Sequence, residues 1–362
     1  LPDLDVVTLS VTPRYPAYEV IIAEGVPLLL DPVTREPFPP TARDPIKRRP
    51  KSGEKLTVTA RVVNHGRADS GSFDYTWLVN GNPVQRGRHP GLLARCTATA
   101  ETVPWQLQGG ALREAVLKPG TYADFTYELS FRGERQRVEF RVEPFLGAED
   151  ASSANNSRLE RVDALAFVAV IRRREYNRWA ELPAGNGTSS FEDWLQQQFT
   201  ALRQKFEQSA YASAPGGVRQ AIRLDQIRVL ADDEPADFLR DGHAVNGWDG
   251  MLDYAPNRDP AADAGQIDWT LIRGIVRQMG VVDLTPLRVL PEANEALDPE
   301  YGLPGPIGFE PPPVLASEDT LFGEHTVLAL NRQIGSRRGY RGVYLYDVPR
   351  SCRLRVLDNN SG

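Results

Sequence analysis

Two arginines lie four residues apart in a segment whose apolar spacing predicts a helix. Arg273 and Arg277 occur within residues 267–284, and Gly274 directly follows the first of them. Residues four apart share one face of a helix, so we expect both guanidinium groups to project from the same face. Arginine is permanently protonated and has no lone pair for a metal, while glycine is neither acid nor base. These three positions therefore exclude metal binding and proton transfer and favour an acidic ligand.

Few other residues offer catalytic chemistry. No histidine has metal-ligating residues at a matching spacing, and His65 and His89 fall in predicted turns, where we expect surface side chains. No Gly-x-Ser-x-Gly elbow, phosphate-binding loop or Cys–His pair is present. A hydrolase of unrelated mechanism stays open as an alternative, because two carboxylates brought together by folding suffice for glycoside hydrolysis.

The two cysteines, Cys96 and Cys352, are far apart in sequence. In an exported protein they could form one disulfide. Two unpaired, buried thiols are an equally open alternative. Their spacing indicates neither a metal site nor a redox motif.

Carboxylates are concentrated in residues 231–263, at Asp232, Asp233, Glu234, Asp237, Asp241, Asp249 and Asp253. Calcium takes six to eight oxygen ligands, which such a cluster could supply. The spacing does not match an EF-hand loop, so a solvated loop is the default expectation. We predict no cofactor, with calcium as the minor alternative.

Length and composition predict a multidomain globular protein. A chain of 362 residues suits two domains, and 41% apolar residues suffice for packed cores. The net charge of −6 gives no basic patch for nucleic acid. No apolar run is long enough to span a bilayer. The chain opens on Leu1 without a visible signal sequence, which we interpret as a processed or trimmed start that fits export.

The front half predicts an antiparallel β-sandwich over residues 1–163. Apolar residues alternate with polar ones in residues 58–63 and 73–79, a period of two that is typical of half-buried strands. Further strands are predicted at residues 122–131 and 136–142. A Pro-rich insertion at about residues 27–50 is expected to be a surface loop or a partner-binding arm.

The back half predicts an α/β layer. Residues 164–171 are continuously apolar, as in a strand covered on both faces, and Arg172 to Arg174 are expected at its solvated end. Ser189 and Glu192 form a capping box for a helix with one apolar face. Residues 222–230 then resume as a strand, and the order strand, helix, strand favours an α/β layer.

A family resemblance covers roughly the first 165 residues. It rests on the run Val63-Asn64-His65-Gly66, the turn at residues 117–120 and the paired Asn155-Asn156 before the last strand. These features resemble the bacterial cell-adhesion-related domain, which has an immunoglobulin-like fold. The resemblance implies a spacer or adhesive module, since sandwiches of this kind serve in both roles.

A second resemblance concerns residues 267–284. Their pattern resembles the active-site helix of His-Glu-x-x-His zinc peptidases, with Gln278, Gly280, Asp283 and Leu284 matching the surroundings of that motif. By this alignment Arg273, Gly274 and Arg277 replace the first His, the catalytic Glu and the second His. His325 corresponds to a residue near the metal in active relatives. The resemblance implies that residues 164–350 form a zincin-like α/β domain that lacks its metal site.

Together these observations predict a non-enzymatic, secreted or surface-displayed bacterial protein of multidomain α+β class with a structural or adhesive role. Its expected partners are proteins or glycans, with self-assembly into a surface layer or fibre as one form. The alternative is a glycan- or peptide-binding module whose ligand occupies the former cleft, lined by Arg273, Arg277, Asp283 and His325. Residues 351–362 resemble the truncated start of a further β module.

Overall fold

The computed structural model describes residues 1–12, 19–23, 26–30, 50, 52–107, 110–133, 135–145, 149–182, 190–236, 248–279, 321–323, 327, 330 and 331. The chain divides into two compact units. Unit 1 comprises Leu1–Thr200 with Ala221–Asp268, and unit 2 comprises Ala201–Gln220 with Trp269–Gly362. The predicted boundary between residues 163 and 164 lies inside unit 1. The predicted module at residues 351–362 lies outside the described residues.

Fourteen strands and four helices occur in the described residues. The strands are β1 Leu4–Thr12, β2 Glu19–Ala23, β3 Val26–Leu30, β4 Lys55–Asn64, β5 Phe73–Val79, β6 Asn82–His89, β7 Ala98–Leu107, β8 Gly110–Leu117, β9 Tyr122–Ser130, β10 Arg137–Pro144, β11 Ser157–Arg161, β12 Leu165–Arg172, β13 Ile222–Leu230 and β14 Gly250–Asp253. The helices are α1 Arg173–Ala180, α2 Phe191–Gln208, α3 Pro260–Asp263 and α4 Trp269–Gln278.

The predicted sandwich is confirmed as two antiparallel sheets. One sheet has the strand order β1-β4-β9, and the other has the order β11-β10-β5-β6. Their facing side chains form one apolar core that includes Phe73, Trp77 and Phe140. The alternation on β4 is confirmed except at Val63, which is also buried because it packs with Val7 and Cys96 in a second cluster.

The Pro-rich insertion is only partly described. Strands β2 and β3 pair as an antiparallel hairpin, so the first residues of the predicted loop belong to a strand. The remainder of the insertion, with its basic residues at 47–49, lies outside the described residues. Its proposed role as a partner-binding arm stays a prediction.

The predicted α/β layer is a mixed five-stranded sheet in the order β14-β12-β13-β8-β7. Strand β12 is parallel to both β13 and β14, and all eight of its residues are buried, as the continuous apolar run predicts. The hairpin β7–β8 comes from the front half but pairs with β13 through Leu230 and Glu114. Local sequence spacing cannot show which sheet the hairpin joins, because the same alternating pattern fits the edge of either sheet.

Two local predictions about the back half were wrong. Arg172 is buried, not solvated, because its guanidinium pairs with Asp253 and donates to the carbonyl oxygen of Glu234 at 3.1 Å. The cap of α2 is Ser190, one residue after the predicted position, and its Oγ accepts a hydrogen bond from the backbone N–H of Asp193 at 3.0 Å. Helix α1, which begins directly after β12, was not expected from the sequence.

Unit 2 contains the second part of α2, helix α4 and a short described segment near Phe322. The rings of Phe206 and Phe322 have centroids 5.6 Å apart, and the backbone N–H of Phe322 donates to Ser209 Oγ at 2.9 Å. The Lys205 ammonium lies 5.7 Å from the centroid of the Trp269 ring. Among the helices that the structure describes in either unit, none is both long and apolar enough to cross a bilayer.

Candidate functional site

Helix α4 confirms that the segment with the two arginines is helical. Its buried face includes Ile272 and Ile275. The Arg273 guanidinium is engaged along its own helix, since Nε donates to the carbonyl oxygen of Trp269 at 3.2 Å and Nη2 donates to Thr270 Oγ1 at 3.1 Å. Gly274 has open space where a side chain would begin. The glycine is therefore not required by crowding at this position.

The remaining members of the predicted cleft are not placed. Arg277 lies on α4, but its side chain is outside the description, and Gly280, Asp283 and His325 lie outside the described residues altogether. The cleft therefore stays a prediction.

The acidic residues of the 231–263 stretch are engaged separately. Asp232 pairs with Arg173, while Asp233 and Glu234 both pair with Arg113. Hydrogen bonding from Arg173 lowers the pKa of the Asp232 carboxyl. Asp249 accepts from the backbone N–H of Ala166 at 2.8 Å, Asp253 pairs with Arg172, and Asp237 and Asp241 lie outside the described residues. Across the described ranges, no group of three or more His, Cys, Asp or Glu side chains could hold a metal ion, and calcium stays a prediction.

Cys96 is buried, and its Sγ lies 3.7 Å from the Tyr176 hydroxyl oxygen. Burial raises the pKa of the thiol to about 11, so it is protonated and unreactive at neutral pH. Cys352 lies outside the described residues, and the disulfide between the two stays a prediction.

Sequence reasoning missed a buried polar group around His65. The prediction of a surface turn was wrong for this residue, because its side chain is only 6% exposed and Nε2 lies 3.6 Å from both Asp5 Oδ2 and Glu192 Oε2. We call Asp5, His65 and Glu192 the His65 cluster. His89 is half-buried rather than freely exposed, with its ring centroid 5.0 Å from that of Phe73, and burial lowers the pKa of its imidazole.

Asn64 positions the His65 turn. Its side-chain Nδ2 donates to the carbonyl oxygens of Ala68, Leu92 and Leu93, and its Oδ1 accepts from the backbone N–H groups of Asp3 and Gly66. The backbone N–H of His65 itself donates to the carbonyl oxygen of Asp3 at 2.9 Å. A Cβ on Gly66 would lie 2.4 Å from the Asp3 nitrogen, so only glycine permits this approach of the chain start.

Helices α1 and α2 complete the cluster. Glu192 lies in the first turn of α2, and its Oε1 accepts a hydrogen bond from the Tyr176 hydroxyl at 2.7 Å. Farther along α2, Gln196 Nε2 donates to the carbonyl oxygen of Val7 at 3.2 Å. The start of α2 is thereby attached to strand β1 next to Asp5.

Burial dominates the electrostatics of the cluster. It raises the pKa of the Asp5 carboxyl well above its usual range, and the nearby Asp193 carboxylate raises it further. The Arg158 guanidinium, 3.9 Å from Asp5 Oδ1, acts in the opposite direction. Within the described part of the chain, neither Asp5 oxygen nor His65 Nε2 has a hydrogen-bond partner. This arrangement can hold a proton, but a fully enclosed carboxylate offers a substrate no access.

A second buried polar group lies on β13. Arg223 Nε donates to Asp225 Oδ1 at 3.0 Å, and the same oxygen accepts from the backbone N–H of Val11 at 3.2 Å. The Nη1 atom of Arg223 donates to the carbonyl oxygens of Arg161, Val162 and Ala164, at 3.2, 3.0 and 3.3 Å. These carbonyls belong to the segment that joins the sandwich to β12. The pair therefore fixes the connection between the two β structures of unit 1.

The sequence carried one partial signal for the His65 cluster. Asp3 and Asp5 are two apart where strand β1 begins, so an extended chain places both side chains on one face. Nothing local indicated that His65 and Glu192 would meet them.

No protein-family model matches the chain, and no curated protein matches it. Among solved structures, the CARDB domain of a Pyrococcus furiosus protein in complex with di-metal ions is 12% identical, covers 44% of this chain and 86% of its own, and has a TM-score of 0.23. A domain assigned to a cell surface protein of Methanosarcina acetivorans is 18% identical, with 45% and 90% covered and a TM-score of 0.24. Beta-glucosidase 3B from Thermotoga neapolitana, in complex with alpha-D-glucose, is 16% identical, with 33% and 15% covered and a TM-score of 0.15.

CARDB domains are the cell-adhesion-related family that the front half of the sequence resembles. At identities and TM-scores this low, the similarities carry no statement about activity, metal or partner. The assignment of the sandwich rests on the strand pairing of this chain.

Proposed function

We propose that this chain is a non-catalytic extracellular subunit with a structural or adhesive role, built on a pseudo-metallopeptidase scaffold. The observation that supports the proposal is helix α4, which carries Arg273, Gly274 and Arg277. By the resemblance, these residues would stand at the ligand and base positions of the peptidase motif. A zinc peptidase needs two neutral imidazoles on one helical face and a carboxylate to activate the bound water. None of the three replacements can supply either function.

The chain order supports the scaffold part of the proposal. Strand β12, helices α1 and α2 and the parallel strand β13 form a βαβ unit, and the short parallel strand β14 follows before α4. Arg273 is already hydrogen-bonded to its own helix, an arrangement that needs no ligand.

The construction of unit 1 supports the structural role. The sandwich is joined to the mixed sheet by the hairpin β7–β8 and by the Arg223–Asp225 pair, in addition to the chain connection before β12. Several independent links resist separation better than one flexible linker does. Such a unit suits a spacer that transmits force at a surface.

Metal content tests the proposal. The protein is purified without chelators, and zinc is measured by elemental mass spectrometry alongside the triple variant Arg273→His, Gly274→Glu, Arg277→His. We expect less than about a tenth of an equivalent of zinc in the wild-type chain and a clear increase in the variant. Near-stoichiometric zinc in the wild-type chain, together with peptide cleavage, would overturn the non-catalytic role. If neither protein contained zinc, the result would argue against the peptidase scaffold and would leave the non-catalytic role in place.

Self-association tests the structural role. We expect light scattering to show concentration-dependent assembly of the wild-type chain. A strict monomer at high protein concentration would count against a layer or fibre, and the search would then move to protein or glycan partners.

A further inference from the structure

The His65 cluster lies where three elements of unit 1 meet. Asp5 belongs to β1, His65 follows β4, and Glu192 lies in the first turn of α2. The two distances of 3.6 Å from His65 Nε2 are too long for hydrogen bonds but short enough for strong interaction between charges. The imidazole therefore lies between two carboxyl groups from different elements.

The charged and titratable groups around the cluster leave it with excess negative charge. Among the described residues that act on Asp5, the Asp193, Glu192 and Asp3 carboxyl groups raise its pKa and the Arg158 guanidinium lowers it. The other titratable neighbours are the Tyr176 hydroxyl, which donates to Glu192, and the protonated Cys96 thiol beside it. Isolated charge is costly to enclose, and such groups neutralise by binding protons. One additional proton would reduce this excess.

We propose that the His65 cluster binds one proton that the unfolded chain releases, and that this proton holds β1 against the start of α2. The junction is then a pH-sensitive latch. It is closed while the buried Asp5 carboxyl holds the proton, and it loosens when the proton leaves and the Asp5 carboxylate faces the Glu192 carboxyl group across the imidazole.

The sign of the pH dependence follows from Asp5. Burial raises the pKa of this carboxyl in the folded chain above its value in the unfolded chain. The stabilisation is therefore complete below the ordinary aspartate value, about pH 4, and is lost as the pH rises through the folded-state pKa. Above about pH 4, stability at this junction falls with increasing pH.

The test is urea unfolding of the full chain, followed by tryptophan fluorescence at constant ionic strength between pH 5 and 9. If folding takes up one proton, the folding equilibrium constant decreases by up to about tenfold for each unit by which the pH rises. We expect this slope over part of the range in the wild-type chain and a flatter profile in Asp5→Asn, which removes the charge without changing the side-chain size.

Asp74→Asn is the matched control. Asp74 is an exposed strand residue, and hydrogen bonding from Arg88 lowers its pKa, so its titration falls below the tested range. We expect this variant to keep the wild-type slope. Equal slopes in the wild-type chain and Asp5→Asn would overturn the latch, and so would a wild-type slope that EDTA abolishes, which would indicate a cation in place of the proton.

If Asp5→Asn does not fold, a local measurement on the wild-type chain replaces it. Hydrogen exchange of the amides in the first turns of α2 provides a local measurement on the native wild-type chain. After correction for intrinsic rates, we expect protection to decrease as the pH rises. Protection that does not depend on pH would contradict the latch.

Discussion

Unit 1 contains two buried polar groups next to strand β1, and they satisfy their charges in different ways. The Arg223 guanidinium has a carboxylate partner and three backbone carbonyls, all within hydrogen-bond distance. His65 Nε2 has two carboxyl oxygens at 3.6 Å and no hydrogen bond within the described part of the chain. Both groups connect the sandwich to the elements that follow it in sequence.

The difference shows how residue type determines whether the contribution of a buried junction to stability depends on pH. A guanidinium keeps its proton at every physiological pH, so the Arg223 side of its pair with Asp225 does not change charge. Imidazole and carboxyl groups exchange protons, so the His65 cluster has several states with different net charge. The first group therefore makes a constant contribution, and the second makes one that depends on pH.

The largest effect is expected for Arg223→Leu. The change removes the Arg223 guanidinium that pairs with the buried Asp225 carboxylate and that donates to the carbonyl oxygens of Val162 and Ala164. Breaking a buried pair from one side costs about 3–5 kcal/mol of the free energy of unfolding. Urea unfolding monitored by circular dichroism measures the loss.

Arg61→Leu is the control for this change, because Arg61 pairs with Asp124 at the surface of the sandwich. Its expected cost is below about 1 kcal/mol. A loss of similar size in both variants would contradict the special role of the Arg223 junction.

A smaller effect is expected for Asn64→Ala. The substitution removes the side chain that fixes the His65 turn and leaves the backbone N–H groups of Asp3 and Gly66 unpaired. Unsatisfied buried groups of this kind cost about 1–3 kcal/mol. Because His65 is the next residue, we also expect the pH dependence between pH 5 and 9 to become flatter. If stability decreased while the pH profile stayed the same, the turn would contribute to stability independently of the proton that the His65 cluster binds.

The smallest effect is expected for Arg88→Ala on strand β6. Its pair with Asp74 is exposed, and its guanidinium lies 4.0 Å from the centroid of the Phe145 ring. Surface pairs of this kind are screened by water and salt. We expect no resolvable change in the urea midpoint at any pH. A clear shift would show that exposed pairs contribute to this sandwich as buried ones do.

Regular elements were predicted well where one local pattern determines them. The alternation in residues 73–79 predicted β5, and the apolar run before Arg172 predicted a strand buried on both faces. The apolar face of α2 was also confirmed, with Phe191, Phe199 and Phe206 all buried. In each case, burial of one face or of both faces leaves a period that can be recognised within ten residues or so.

Predictions failed where distant residues decide the outcome. Arg172 was expected in solvent, because nothing nearby in sequence shows that Asp253 is its partner. Residues 98–117 were included in the predicted sandwich but form the hairpin β7–β8 of the mixed sheet, because local spacing does not specify which sheet a strand joins. The zincin-like identity of the back half and its cleft stay predictions.

The sandwich core, the strand–helix–strand order of the back half and the helix that carries Arg273, Gly274 and Arg277 could be recognised from the sequence. These features follow from apolar periodicity and from the fixed chemistry of side chains. The placement of His65 between Asp5 and Glu192, and of Arg223 against the segment before β12, follows from the folded chain and from no local pattern. A titratable group acquires its electrostatic surroundings from residues that are distant in sequence, as Asp5 and Glu192 are.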